Sequence, residues 1–177
     1  MITIHCDGSS MNNEGPNSDA SWTIHIDGTE LNTTGEYAHI DGKETWTGKG
    51  TSNEAEYKAL ICALWYAGKW AIGKEVVIHL DSTLVYHQVV SGTYAIRNAR
   101  LSKLHEVATT LLQYALMKCL SLKIRTISSN DNLAHVVVSR EPHVYDGIHT
   151  IVEEVPRMTE ELRMYDEHVD RMEVENG

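Results

Sequence analysis

Short stretches with every second residue apolar, interleaved with longer stretches whose apolar residues fall three and four apart, leave this chain few ways to fold. The first strand runs from about Ile2 to Asp7. It places Ile2, Ile4 and Cys6 on one face and Thr3, His5 and Asp7 on the other, and Gly8 reads as a sharp turn of the backbone. A second strand, about Ala20 to Ile26, alternates Trp22, Ile24 and Ile26 against Thr23 and His25, with Asp27-Gly28 as a hairpin turn. Leu31 to Lys49 holds one long strand or two short ones, with Gly35 and Asp41-Gly42 as turn signals. A helix then opens on a capping box, Thr51 with Glu54, and carries Ala55, Ala59, Cys62, Ala63 and Tyr66 as an apolar stripe that ends near Gly68.

Glu75 to Asp81 is the fourth strand, followed at once by a helix bearing Leu84, Val85 and Val89 that stops at Gly92. A longer helix, about Asn98 to Cys119, carries Leu101, Leu104, Ala108, Leu111, Leu112 and Ala115 on a core-facing stripe. Ser121 to Ile127 is the fifth strand, and Asn132 to Arg140 reads as a short helix. A meander followed by alternating helices and strands implies an α/β fold, a mixed sheet covered by helices.

Four carboxylates sit where such a fold exposes its strand and helix ends: Asp7, Glu56, Asp81 and Asp131. Asp7 and Asp81 end their strands, the place where ligands of open α/β sheets collect. Carboxylates packed together repel and raise one another's pKa unless hard cations neutralise them, and Mg²⁺ takes oxygen ligands while keeping several waters. Asp7-Gly8 is also a common hairpin dipeptide, so the pattern acquires meaning only from all four together.

In order and surroundings these four residues resemble the ribonuclease H type 1 family. The likeness rests on Asp7-Gly8-Ser9 after the first strand, Thr51-Ser52-Asn53-Glu54-Ala55-Glu56 opening a helix, Asp81-Ser82 after the fourth strand, and Asp131-Asn132-Leu133-Ala134. It covers roughly residues 1 to 140, which form the expected catalytic domain, and leaves 141–177 as an acidic extension. The resemblance implies a five-stranded mixed sheet, three antiparallel strands and then parallel ones. It also implies a nuclease that hydrolyses the RNA strand of an RNA–DNA hybrid with two Mg²⁺ ions, for which Mn²⁺ can substitute. In that family pattern Asp7 bridges both ions, Asp131 helps hold the ion that activates the attacking water, and Glu56 and Asp81 hold the ion at the leaving 3′ oxygen. The products are 5′-phosphate and 3′-hydroxyl ends. Ser52 and Asn53 would read the RNA 2′-hydroxyl, with Thr51 and Asn13 near a phosphate of the DNA strand; as plain structure, Thr51 is a helix cap, Ser52 and Asn53 are first-turn residues and Asn13 is a turn residue.

Two departures from the family stand out. Only Ser128-Ser129-Asn130 separate the fifth strand from Asp131, where family members commonly have a longer loop with a histidine; His135 falls after Asp131 and reads as an exposed or packed helical residue. The long basic handle is replaced by the short link Gly92 to Arg97, with Arg97, Arg100 and Lys103 as a partial substitute or a solvated face. Alternatives of the same fold are a Holliday-junction resolvase or integrase-like nuclease and a catalytically silent hybrid-binding module.

The net charge of −10 sits badly with a polyanion partner until it is located. Residues 141–177 hold 11 acidic and 3 basic residues, leaving 14 and 12 in the rest, four of them the proposed ligands. Binding should be weak and salt-sensitive. Pro142 and Pro156 should break the extension, Val144, Ile148, Ile151, Val152 and Val155 can pack on the body or a second subunit, with partial disorder or a shield over the basic surface as the other readings, and Glu160 to Glu175 reads as a charged helix. Cys6, Cys62 and Cys119 read as reduced core thiols. No apolar leader or membrane-length run is present, so the expectation is a cytoplasmic, one-domain enzyme without membrane or organic cofactor, monomeric or homodimeric.

Overall fold

The computed structural model describes residues 1–11, 15–31, 37–135 and 148–176. Five strands form one sheet: β1 (Ile2–Ser10), β2 (Asp19–Leu31), β3 (Tyr37–Lys49), β4 (Glu75–Leu80) and β5 (Ser121–Thr126), in the order β3-β2-β1-β4-β5. The first three pair antiparallel, and β1-β4 and β4-β5 pair parallel. This is the mixed sheet that the alternation of elements implies.

Three expected turns are strand interior instead. Asp27 pairs with Asp41 and Gly28 with Ile40 across β2 and β3, and Gly28 also faces Ile2 on β1. A Cβ on Gly28 would stand 3.0 Å from the Met1 carbonyl oxygen and 3.1 Å from the Ile2 Cα, so this glycine lets two strands approach closely. Gly8 likewise stays in β1, paired with Trp22. Leu31 to Lys49 thus holds one long strand from Tyr37, with Asp41-Gly42 inside it.

Helix α1 (Ser52–Trp70) has both halves of its capping box: the Thr51 hydroxyl accepts from the Glu54 N–H at 3.3 Å, and the Glu54 carboxylate accepts from the Thr51 N–H at 2.6 Å. It is buried on most of its circumference, from Tyr57 and Leu60 to Leu64 and Ala67, because the sheet lies on one side and other helices on the other. The short α2 (Thr83–Val85) runs on into a π-helical stretch, Tyr86–Val90, before Gly92 at φ +66°. Helix α3 (Ala99–Lys118), capped by Asn98, buries Leu101, Ala108, Leu111 and Ala115 as its stripe requires. All three cysteines are buried free thiols.

After β5 comes a 3₁₀ turn, Ser129–Asp131, and Asn132 to His135, the described part of the helix expected over Asn132 to Arg140, are not helical. The Asn132 side chain explains the change. Its amide donates to the Cys6 carbonyl at 2.9 Å and its carbonyl accepts from the Ala134 N–H at 3.0 Å, an alternative to helical pairing. Residues 136–140 lie outside the described residues, as do Pro142 and Val144.

Helix α4 (Ile148–Asn176) begins well before the expected charged segment and contains Pro156 without ending there. Packing compensates for the hydrogen bond that proline removes. Ile148, Ile151 and Met158 are buried in the common core. Glu154 accepts from Lys69 and Trp65 of α1, and Glu161 from Tyr114 of α3, with Lys118 alongside at 3.3 Å. No described helix is long and apolar enough to cross a membrane.

Candidate active site

Parallel pairing of β1 with β4 ends at Cys6 and Leu80, and the next residues, Asp7 and Asp81, stand side by side there. Asp81 follows the end of β4, whereas Asp7 does not end its strand as the alternation suggested but lies inside β1, still paired with Thr23 of β2. The N-terminal turns of α1 come down beside them. The approach is tight: a Cβ on Gly8 would lie 2.2 Å from the Ala55 carbonyl carbon and 2.5 Å from the Glu56 nitrogen, so only glycine lets strand and helix meet here. One carboxylate oxygen each from Asp7, Glu56 and Asp81 then falls within 4.8 Å of the others. Asp7 is buried and the other two are half-buried.

Burial, then the charges of Asp81 and Asp7, push the Glu56 carboxyl up to about 10, against a weaker opposing hydrogen bond from Gly8. Without a cation this cluster holds a proton at neutral pH. An all-oxygen set of three acids, half open to solvent, fits a hard divalent cation and offers no soft ligand for zinc or copper. Nearby Cys6 is buried, and its thiol is raised by burial and by the same three acids, which keeps it protonated.

Asp131 is placed differently. It is exposed on the 3₁₀ turn and does not fall within the three-carboxylate group. The stretch after it is tied to β1, by Asn132 on Cys6 and by the Leu133 N–H donating to His5 Nδ1 at 3.3 Å. That tether brings His135 Nδ1 to 3.8 Å from the Asp7 carboxylate while the imidazole stays largely exposed. Sequence reasoning left His135 as an ordinary helical residue; its nearness depends on the Asn132 turn, which no spacing rule reveals.

Thr51, Ser52 and Asn53 open α1 next to the cluster, with Thr51 capping, Ser52 half-buried and Asn53 exposed. Glu54 is held in turn by Arg100 of α3 at 2.7 Å, so Arg100 braces this corner and is not part of a free basic face. Arg97 and Lys103 are exposed. Asn13 lies outside the described residues.

The family described as "Reverse transcriptase-like" matches residues 6–140. No curated protein sequence matches the chain. Among solved structures, the N-terminal RNase H domain of a Mycobacterium tuberculosis protein is 24% identical with a TM-score of 0.56, over 74% of this chain and 84% of that one. RNase H1 of the archaeon Halobacterium salinarum is 24% identical with a TM-score of 0.55, over 74% and 88%. LC11-RNase H1, solved in complex with an RNA/DNA hybrid, is 23% identical with a TM-score of 0.54, over 75% and 89%. These likenesses establish the fold, and the family match covers well over half of the residues. The chain therefore belongs to the reverse-transcriptase-like family, built on the fold of the type 1 ribonucleases H.

Proposed function

We propose that the protein is an endonuclease that hydrolyses the RNA strand of RNA–DNA hybrids, leaving 5′-phosphate and 3′-hydroxyl ends. The observation that carries this reading is the convergence of Asp7, Glu56 and Asp81 where the parallel pairing of β1 and β4 ends beside α1, on a ribonuclease H fold. Asp7, Glu56, Asp81 and, from the neighbouring turn, Asp131 would hold two Mg²⁺ ions. Bound there, such ions lower the pKa of water and stabilise the leaving oxygen. Asp7, buried and central, orients the cluster. Glu56 gives up its proton on metal binding, so binding tightens as pH rises. Ser52 and Asn53, on a helix end braced by Arg100, would hydrogen-bond the 2′-hydroxyl that distinguishes RNA from DNA. Residues 1–140 are the catalytic unit in this reading.

The test is incubation with end-labelled hybrid, double-stranded RNA, double-stranded DNA and a four-way junction, with and without Mg²⁺. Cleavage confined to the RNA strand of the hybrid, dependent on the metal and lost in Asp7→Asn, is the expected result. Junction cutting without action on hybrid would assign the protein to the resolvases, and metal-dependent hybrid binding without cleavage would make it a binding module.

A further inference from the structure

Along α4 the apolar residues Ile148, Ile151, Val155, Met158, Leu162, Tyr165, Val169 and Met172 follow one another in alternating steps of three and four. That is an unbroken a/d heptad pattern, the signature of a seam between helices. The body uses only its first half. Ile148, Ile151 and Met158 are buried, whereas from Arg163 to Met172 every residue except Val169 is exposed. At 29 residues the helix is roughly 43 Å long, and it leaves the body after crossing α3 near Tyr114 and Lys118. In the angle where it departs lies a groove of about 450 Å³ lined by Gln113, Leu116, Met117, Leu162, Tyr165 and Asp166. Leu116 and Tyr165 each keep about half of their surface in water. An apolar seam continued past its own core is a binding surface.

Charge decides the occupant. From Tyr165 to Asn176 the sequence holds five acidic residues and one arginine. With Leu162 and Val169 at a and Tyr165 and Met172 at d, the flanking e and g positions are Asp166, His168, Glu173 and Glu175. Two of the three arginines of α4 are already engaged, Arg157 with Glu154 and Glu161, and Arg163 with Glu160 and Glu167, which leaves Arg171 as the overhang's one arginine against its five acids. Asp166 and Asp170 have no ion-pair partner among the described residues. A second copy of this chain would bring three acids and a histidine against the same set, while a helix with lysine or arginine there would meet opposite charge at Asp166, Glu173 and Glu175.

We propose that the overhanging half of α4 and the C-terminal half of α3 form a docking groove for a basic amphipathic helix of another polypeptide. The probe is a fluorescent synthetic peptide about three heptads long, with leucine at a and d and lysine at e and g, and its counterpart with glutamate at e and g. With the full chain, anisotropy should show saturable one-to-one binding of the lysine peptide, weakened by salt, and binding of the glutamate peptide at least about tenfold weaker. The paired substitution Leu116→Asp with Tyr165→Asp, at exposed positions, should weaken the lysine peptide by about tenfold or more, with the melting temperature and the cleavage of hybrid unchanged. Absence of saturable binding, or equal affinity for the substituted protein, overturns the proposal. So does a concentration-dependent dimer of the unmodified chain that the paired substitution abolishes, which would make a second copy the occupant.

Discussion

Glu56 is where the electrostatics of the site can be read directly. In the metal-free folded protein it keeps its proton up to about 10, whereas the unfolded chain releases one near the ordinary 4.5. The folded state therefore binds more protons than the unfolded state between those values, and stability falls as pH rises through the window. In chelator, the melting temperature should decline from about pH 5 to about pH 9, and the decline should be shallower in Glu56→Gln. Mg²⁺ should raise the melting temperature of the unmodified protein by more than that of the variant. Identical pH profiles in chelator would show that Glu56 does not keep its proton in the folded protein. The same substitution should abolish hybrid cleavage, since it removes an anionic ligand without changing side-chain volume.

At the scale of elements, two surfaces meet at β1. Its far end faces α1, where Thr51 and Glu54 fix the helix start and Arg100 braces it. Asn53, exposed in that first turn, should matter to substrate and little to folding. Asn53→Ala is expected to lower the rate on hybrid by about tenfold or more while moving stability by less than ~0.5 kcal/mol; a melting temperature that falls in step with activity would reduce it to a structural residue. The opposite face of the sheet carries a row set by register: Lys43 beside His25, His25 beside His5, His5 beside His79, and His79 beside Arg125. The rings of His5 and His79 stack at 4.9 Å. Burial, then His79 and His25, lower the His5 pKa, and its Nδ1 must stay unprotonated to accept from Leu133. Because the folded value lies below the unfolded 6.5, this contribution is intact above pH 6.5 and is lost as pH falls through the folded value. His5→Asn keeps an acceptor near the Nδ1 position and removes the titration. It should lose less stability than the unmodified protein between about pH 7 and about pH 5, measured by thermal denaturation.

For the whole molecule the question is what α4 does for the rest. It carries much of the acidity of residues 141–177, yet Met158 is fully buried, Ile148 and Ile151 are nearly so, and Glu154 and Glu161 reach cations on α1 and α3. Three buried apolar side chains at ~2 kcal/mol each come to about 6 kcal/mol, a large fraction of a domain's stability. A chain ending before Ile148 should therefore unfold at a markedly lower temperature or fail to accumulate as folded protein. Unchanged melting of that truncated chain would mean that α4 sits on the body without supporting it. Cutting after Arg163 should cost far less, because Met164 to Met172 are exposed except for Val169.

Local patterns carried most of the architecture. Alternation marked β1 and β4, the Thr51 and Glu54 pair marked the start of α1, and the stripe from Leu101 to Ala115 marked the buried face of α3, since strand and helix periods express which face meets the core. Three of the carboxylates were legible for a related reason: Asp7 and Asp81 follow the apolar alternation of their strands, and Glu56 lies in the first turns of a helix whose capping box marks its start. What stayed hidden depends on contacts distant in sequence. Asp27-Gly28 has the composition of a turn, but the start of β1 lies across it, and a glycine that permits close approach looks like one that permits a turn. Gly8 is similar, its role set by the backbone of Ala55. The Asn132 amide found Cys6, 126 residues away, and so kept Asn132 to His135 out of the helix that local spacing suggested and delivered His135 to Asp7. Pro156, a helix breaker on its own, sits inside a helix that the core holds in place. Composition and spacing decided which elements form, and tertiary contact decided where those elements stop and which side chains face each other across them, because only there do hydrogen bonds and excluded volume from remote residues outweigh local preference.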